Sequence, residues 1–250
     1  MSRLSTRFAF QFLLACSLAS QLASGEHSPE IKQLIDRFES RYRAAHTLQA
    51  TFLERYLENG HLARTEAGTA YFRRPGKMRW EYESPEKNLF LVDGKSAWFF
   101  VPADHTVTRV PARQSSDWRT PLSLLAGEMK VSHVCAKVEA APTEKPESPE
   151  NAVLFCELRG TESAQNKESS PGSLPQATAG GEVVFFEIVK NSGELVRVLV
   201  RQSGGVEVEF RFANWKTDPP LAEALFRFSV PPGVAIVNGE LPHDNALMNQ

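Results

Sequence analysis

The sequence predicts one mainly β domain, in which an antiparallel sheet curls around an apolar hollow and short helices cover it. Alternation of apolar and polar residues recurs in short runs along most of the chain, as in strands that are buried on one face. Two further segments carry apolar stripes at helical spacing and need a surface to cover. A curled sheet with an apolar inner face would provide that surface.

The composition limits the classes of function. The formal charge of −2 over 250 residues gives no electrostatic basis for binding nucleic acid. No segment beyond the N-terminal region approaches the ~20 apolar residues of a membrane-spanning helix. We find neither an internal repeat nor a second apolar core, so we expect residues 26–250 to form a single domain.

Residues 1–25 have the layout of a secretory signal peptide. Two arginines precede the acid-free and mostly apolar run Phe8–Leu22, and small residues before Glu26 fit a cleavage site. An alternative remains open, because Leu13–Cys16 partly resembles a lipoprotein signal that would acylate Cys16. The mature protein is therefore expected to be exported, either in soluble form or anchored through that cysteine.

The first mature element is predicted to be a helix. Ser28 can cap it, and Pro29 suits the first helical position. Its apolar residues fall on one stripe, namely Ile31, Leu34, Ile35, Phe38 and Tyr42. This helix needs an apolar surface beneath it.

Strands follow the first helix. The alternating runs cover residues 48–56, 70–74, 77–82, 88–92, 96–101 and 106–110. Asn59-Gly60 and Asp93-Gly94 are pairs favoured in tight hairpin turns. The pattern therefore predicts an antiparallel meander.

A short apolar helix interrupts the strands. Thr120 can cap it, Pro121 can begin it and Gly127 can end it. Leu122, Leu124 and Leu125 make the segment apolar nearly all round. It is either a helix packed into the core or a lid over a cavity.

The second half of the chain is again mostly strand. The predicted strands cover residues 131–138, 152–159, 182–189, 194–201, 206–212 and 226–230. Residues 161–181 have almost no aliphatic content and are expected to form a mobile loop. Cys135 and Cys156 lie in two strand-like runs that a hairpin could join, so a disulfide is one alternative and free thiols are the other.

The sequence offers no recognisable catalytic group. The six histidines are scattered without metal-ligand spacing, and nucleophile, phosphate-loop and C-x-x-C motifs are absent. We therefore expect no enzyme activity, no metal and no cofactor. The candidate function lies instead in an apolar cavity and its gate.

The candidate cavity residues come mainly from the aromatic stretch 71–102. They are Phe52, Met78, Trp80, Leu91, Trp98, Leu122 and Leu125. Any one of them is compatible with an ordinary core, but their number favours a cavity wall. Arg74 shares a strand face with Phe72 and is either a solvent-facing residue or a latch for the covering helices.

Several motifs occur together in a recognisable order. They are Ala50-Thr51-Phe52, Arg74-Pro75-Gly76 before Trp80, Asp93-Gly94-Lys95 before Trp98, Thr120-Pro121 before Leu125, and the tail from Leu225 to Val234. Together they resemble the outer-membrane lipoprotein carrier protein (LolA) family over residues 28 to 237. The sequence departs from the family pattern at Glu54, where many members have glutamine, and at Met78, which replaces a frequent aromatic residue.

The resemblance implies an incomplete antiparallel β-barrel whose apolar cavity takes the acyl chains of lipoproteins under a helical lid. It implies a periplasmic, monomeric carrier that receives lipoproteins from an inner-membrane lipoprotein-releasing ABC transporter and delivers them to an outer-membrane receptor. The resemblance also assigns roles to two residues: Arg74 would hold the lid closed, and Trp80 would line the cavity. A membrane-anchored lipid-binding or lipoprotein-accepting relative is the alternative if Cys16 is acylated.

Overall fold

The computed structural model describes residues 28–112, 122–127, 129–159, 183–202 and 204–238. The predicted signal peptide with Cys16, the loop at 161–181, and Thr120 and Pro121 lie outside the described residues. None of the described helices is long and apolar enough to cross a membrane.

The described elements are three helices, a 3₁₀ helix and twelve strands. The helices are α1 (Pro29–Arg43), α2 (Ser123–Ala126) and α3 (Val131–Val134), and the 3₁₀ helix covers Glu223–Phe226. The first six strands are β1 (Thr47–Glu58), β2 (His61–Arg73), β3 (Lys77–Ser84), β4 (Leu89–Val92), β5 (Ser96–Val101) and β6 (Thr106–Pro111). The others are β7 (Cys135–Ala140), β8 (Asn151–Leu158), β9 (Val183–Val189), β10 (Leu195–Arg201), β11 (Val206–Thr217) and β12 (Ala235–Asn238).

All twelve strands belong to one sheet that does not close. Their order is β12-β6-β5-β4-β3-β2-β1-β11-β10-β9-β8-β7. Every pair is antiparallel except β12 and β6, which run parallel. With helices packed on its inner face, this open sheet confirms the predicted incomplete β-barrel with a helical lid.

Strand register builds one continuous apolar inner face. Leu48, Phe72, Met78 and Val92 stand opposite one another across β1 to β4 and are all buried. The next row has the small residues Ala50 and Ala70 beside Trp80 and Phe90. Because neighbours in such rows lie within side-chain contact, alternation along each strand becomes an apolar layer across the sheet. This layer is the floor of the candidate site.

Helix α1 forms as its sequence predicts and covers part of this floor. The hydroxyl of Ser28 accepts a hydrogen bond from the Ile31 amide, and Pro29 occupies the first turn. Phe38 packs on Phe186 of β9, with ring centroids 6.2 Å apart. The backbone of α1 also contacts Gly193, where an added Cβ would lie 2.6 Å from the Arg37 carbonyl oxygen.

The C-terminal segment differs from its prediction. The expected strand at 226–230 is wrong, because Glu223–Phe226 is a 3₁₀ helix and residues 227–234 join no strand. This segment lies along the outer face of the sheet, where Arg79 donates to the Leu225 carbonyl oxygen at 3.1 Å. It then ends in β12, which the sequence analysis did not predict.

Two further features concern the region around β7. The predicted strand at 131–138 begins later than expected, since Val131–Val134 forms the short helix α3. A disulfide joins Cys135 and Cys156 on neighbouring strands, with Cα atoms 5.4 Å apart. Of the two alternatives that the sequence leaves open, the structure contains the disulfide.

Candidate functional site

The centre of the inner face is an aromatic cluster around Trp80. The ring of Trp80 lies 4.9 Å from that of Phe52, 5.9 Å from that of Phe72 and 5.3 Å from that of Phe210, measured between centroids. Trp80 is fully buried, and its indole Nε1 has no hydrogen-bond partner within the part of the chain that the structure describes. The surface is therefore suited to contact hydrocarbon and offers little to a polar ligand.

The structure brings five of the predicted cavity residues to this layer. Phe52, Met78 and Trp80 lie on the inner face of the sheet, and Leu122 and Leu125 belong to the same buried core cluster. Helix α2 packs against β2, β3 and α3. The short apolar helix is thus a cover over the inner face.

Leu91 and Trp98 require a correction, because they lie on the opposite face of the sheet. Leu91 stands across from Arg79 and Trp98, whereas Phe90 stands across from Trp80. Trp98 packs instead on Phe228 of the C-terminal segment, with centroids 5.3 Å apart. Both faces of β4 and β5 are covered, so burial alone does not tell which face looks into the hollow.

Arg74 holds the end of helix α1. Its guanidinium donates to the carbonyl oxygens of Tyr42 at 2.8 Å, of Ala45 at 2.7 Å, and of Arg43. These carbonyls lie in the last turn of α1 or just after it, at the negative end of the helix dipole, so a cation suits this position. Burial lowers the pKa of Arg74, but an arginine retains its charge. The side chain is thus bound to the end of α1, and its role as a latch stays a prediction.

Sequence reasoning missed two further contacts that hold the helices. The amide of Gly76 donates to the carbonyl oxygen of Ala126 at the end of α2, at 2.8 Å. A carboxylate oxygen of Glu39 in α1 accepts from the amide of Val131 in α3, at 2.9 Å. Residues 74–76 therefore hold both α1 and α2, and Glu39 links α1 to α3. These contacts form only when distant segments pack together, so no local sequence motif predicts them.

Tyr42 fixes α1 to the far side of the sheet. Its hydroxyl accepts from the Leu195 amide at 3.0 Å, and its ring lies 5.2 Å from that of Trp215. Burial raises the pKa of Tyr42 to about 12, so the hydroxyl stays neutral at physiological pH. Trp215 reaches the inner face because Asn214 before it adopts a positive φ, which interrupts the strand pairing.

The inner face becomes polar beside the first half of β2, which is the half remote from Arg74. Glu54 and Glu66 stand opposite each other in the register, and both are buried. Glu54 accepts from the Tyr82 hydroxyl at 2.5 Å, and Glu66 pairs with Arg64 at 3.2 Å. A sequence signal for this change existed, since Glu54 occupies an inward position in the alternation of β1.

A cavity of about 390 Å³ opens at this polar end, and we call it the polar mouth. Its walls come from the ends of β1 and β5, from the first part of β2 and from the connection between β3 and β4. Its chemically relevant lining residues are Tyr56, Arg64, Glu66, Glu86, Asn88 and Asp104. The inner face therefore has an apolar end under the latched helices and a polar end at this mouth.

The described residues contain no group of three or more histidine, cysteine or acidic side chains placed to hold a metal ion. In chemical terms, an apolar layer that ends at a polar cavity is suited to an amphipathic molecule. The apolar rows offer a surface suited to hydrocarbon. Hydrogen bonds from Arg74, Gly76 and Val131 hold the helices at one side, and Arg37 and Arg41 of α1 bind residues 190–194 at the other. Because the aromatic side chains fill the space beneath the helices, a ligand would enter only when the helices move.

Comparison with known proteins finds similarity to one family of carrier proteins. Residues 43–146 match the family model described as outer membrane lipoprotein carrier protein LolA. The outer-membrane lipoprotein carrier protein of Methylococcus capsulatus is 28% identical over 236 residues, covering 91% of this chain and 97% of that protein. The protein of that name from Nitrosospira multiformis is also 28% identical, over 78% of this chain and 83% of its own.

Among solved structures, an uncharacterized conserved protein from Thermus thermophilus is 16% identical, with a TM-score of 0.49 over 84% of this chain and 99% of that one. That likeness is too low to bear on function. The family model matches the first part of the mature chain, and the sequence relatives extend over most of its length. The chain is similar to the outer-membrane lipoprotein carrier protein (LolA) family.

Proposed function

We propose that this protein carries acylated lipoproteins across the periplasm, holding their acyl chains on the inner face of the sheet beneath α1 and α2. It would receive them from an inner-membrane lipoprotein-releasing ABC transporter and deliver them to an outer-membrane receptor. The names of its relatives support lipoprotein as the cargo. Carriage of this kind makes and breaks no covalent bond and needs no catalytic residue.

The observation that carries the proposal is the latch on an apolar layer. Arg74 and Gly76, two residues apart, hold the two helices that cover the aromatic cluster around Trp80. A rigid core would need no such device, because burial alone would keep the helices in place. A cover that opens and closes needs local contacts that re-form on closure, and the hydrogen bonds from Arg74 and Gly76 are contacts of this kind.

The energetics explain why a carrier is required. Burial of each CH₂ contributes about 0.8 kcal/mol, so a 16-carbon chain holds its protein to a membrane by about 12 kcal/mol. A protein with several such chains would not cross an aqueous space unaided. The carrier has to offer comparable apolar contact and still release the cargo.

Release can be driven by closure of the latch. When the cargo leaves, the helices return to the sheet and Arg74 recovers its three carbonyl partners. Hydrogen bonds from a charged donor contribute about 1.5–3 kcal/mol each. Closure would therefore offset part of the free energy lost when the acyl chains leave the inner face.

The test measures loading and delivery separately. Purified protein is incubated with inner-membrane vesicles that contain labelled lipoprotein, the transporter and ATP, and the soluble complex is then presented to outer membranes. For Arg74→Leu we expect normal loading and a delivery at least about tenfold slower, because the open and loaded state no longer competes with a latched one.

Arg73→Leu is the matched control. Arg73 is the neighbouring residue and donates to the Leu221 carbonyl oxygen at 3.0 Å on the outer face. This variant should load and deliver like the wild type. Equal delivery by all three proteins would contradict the role of the latch, and failure of the wild type to release lipoprotein from the vesicles would contradict the proposed function itself.

A further inference from the structure

The polar mouth contains a hydrogen-bond acceptor without a partner. Asn88 lies just before β4 and is only 8% exposed, yet its Oδ1 has no hydrogen-bond partner among the described residues. An unpaired buried polar atom costs about 1–3 kcal/mol, so such atoms are uncommon in folded proteins. Asn88 lines a cavity large enough for a ligand group, so a donor from that ligand would remove the penalty.

The charges of the polar mouth restrict what can enter. Three carboxylates line it, those of Glu66, Glu86 and Asp104, against the single guanidinium of Arg64. Glu66 and Arg64 already form an ion pair with each other. The excess of negative charge disfavours a phosphate or a free carboxylate, because like charges repel at short range. It does not disfavour an uncharged group that offers N–H donors.

We infer that the polar mouth holds the peptide amides next to the acylated residue of the cargo, and that it discriminates against anionic lipids with the same acyl chains. This inference rests on the proposed function and specifies its substrate as a diacylglyceryl peptide. The peptide bond is uncharged and carries the N–H donor that Oδ1 of Asn88 lacks.

The layout of the inner face gives the cargo a direction. The strand β2 runs from Arg64 in the polar mouth to Arg73 beside the latch, and the rows between them are apolar from Phe52 to Phe72. The acyl chains would lie along these rows toward Arg74. The peptide would then leave through the opening of the polar mouth. The head and the tails thus meet different chemistry on one continuous surface.

Discrimination at the head is useful to such a carrier. Membrane phospholipids carry acyl chains like those of the cargo and are far more abundant, so apolar contact alone would fill the protein with phospholipid. A site built to hydrogen-bond one head group and to repel the competing charge separates ligands that share the same tails.

The experiment compares two ligands with identical tails. Binding of an N-acetylated, C-terminally amidated dipalmitoylglyceryl-cysteinyl tetrapeptide, which carries no charge, and of dipalmitoyl phosphatidylglycerol is measured on the wild type, on Asn88→Leu and on Asn88→Asp. We expect the wild type to prefer the lipopeptide. Asn88→Leu, which lacks the acceptor, should bind the lipopeptide about three- to tenfold more weakly, with phosphatidylglycerol binding unchanged. Asn88→Asp keeps an acceptor oxygen and should keep the preference.

Denaturation curves show whether Asn88→Leu is folded, and its stability should be no lower than that of the wild type, since the substitution removes an unpaired polar atom. Equal lipopeptide binding by the wild type and Asn88→Leu would overturn the inference and leave the proposed function intact. Tighter or equal binding of phosphatidylglycerol by the wild type would also overturn the inference. Binding of neither ligand by the wild type would overturn both.

Discussion

Asp93 shows how one residue fixes the turn between β4 and β5. Its carboxylate accepts from the amides of Lys95 and Ser96, both at 2.8 Å, and from the indole N–H of Trp98 at 2.9 Å. Burial raises the pKa of Asp93, but the hydrogen bonds from Ser96, Trp98 and Lys95 outweigh it, and the net pKa lies below its ordinary value of 3.8. The charged form therefore holds this turn together.

A pH dependence follows. Because the folded pKa of Asp93 is lowered, its contribution to stability is fully present above pH 3.8 and is lost as the pH falls through the folded value. Asp93→Asn should lower the free energy of unfolding by about 1–2 kcal/mol at pH 7. The difference from wild type should shrink below pH 3.8, as measured by urea denaturation between about pH 2 and pH 7. A difference that stays constant over this range would contradict this role for the charge.

The sequence predicts which side chains share a face of a strand. It does not predict which of the two faces points to the inner side of the sheet. Alternation correctly separated Trp98 and Phe100 from Phe99 in β5. The hollow lies on the side of Phe99, because the C-terminal segment brings Phe228 against the other side. When both faces of a strand are covered, the period of two does not show which face lies under the helices and which lies under the C-terminal segment. For this reason the prediction of an inward side chain is wrong for Trp98, whereas Trp80 does lie on the inner face.

At the scale of elements, Gly68 allows β2 and β3 to approach closely. A Cβ at this position would lie 1.9 Å from the backbone carbonyl oxygen of Glu81, which cannot move without breaking the strand pairing. Gly68→Ala should therefore destabilise the protein by about 3 kcal/mol or more.

Gly60 offers the comparison for this substitution. Unlike Gly68, it has a positive φ, of +78°, but an added Cβ there would meet nothing within 4 Å. Gly60→Ala should cost only about 1–2 kcal/mol, from the unfavourable φ. The measurement is guanidinium denaturation of both variants. Equal stability of the two would show that the close approach at Gly68 is not important.

The covering helices should move as one unit because Glu39 connects them. Glu39→Ala removes the acceptor of the Val131 amide, whereas Glu39→Gln keeps an oxygen in place. We expect Glu39→Ala to lower the stability of the folded cover by about 1–2 kcal/mol, and amide exchange at Val131 to become about tenfold faster. Glu39→Gln should retain most of the protection. If Val131 exchanged equally fast in both variants and the wild type, the helices would not be coupled through this contact.

Elements with local signals were predicted well, and those that depend on tertiary pairing were not. Ser28 and Pro29 mark the start of α1 in the sequence and in the structure. The four residues of strand β12 are exposed, and they form a strand because they pair with the edge strand β6. Residues 226–230 alternate like a strand, but their aromatic side chains serve to cover the outer face. Their sequence pattern reports burial and not pairing.

At the scale of the whole molecule, the two faces of the sheet have different uses. On the outer face, Arg197 is buried among Glu187, Glu209 and Glu144, and this network fastens the connection between β7 and β8 over the sheet. The C-terminal segment fastens over the other half of that face. Removing one partner from a buried charge network is costly, so this network favours a fixed outer cover. The inner cover meets the sheet through the hydrogen bonds of Arg74 and Gly76, and we propose that it opens there.

The difference between local and tertiary contacts also explains which parts of the candidate site the sequence predicts. The apolar rows and the unusual position of Arg74 could be predicted from the sequence, because strand period and a charge at an inward position are local signals. The partners of Arg74 at the end of α1, the contact from Glu39 and the unpaired acceptor of Asn88 arise only when distant segments meet. They could not be read from spacing.

We propose that the acyl chains of the cargo lie on the inner face of the sheet and not on the outer one. The most direct test is NMR of the protein bound to a lipopeptide with ¹³C-labelled palmitoyl chains. Intermolecular nuclear Overhauser effects should connect the chains to the rings of Trp80, Phe210 and Phe212. None should reach Trp98 or Phe228. Contacts to the outer pair without contacts to the inner three would contradict the account.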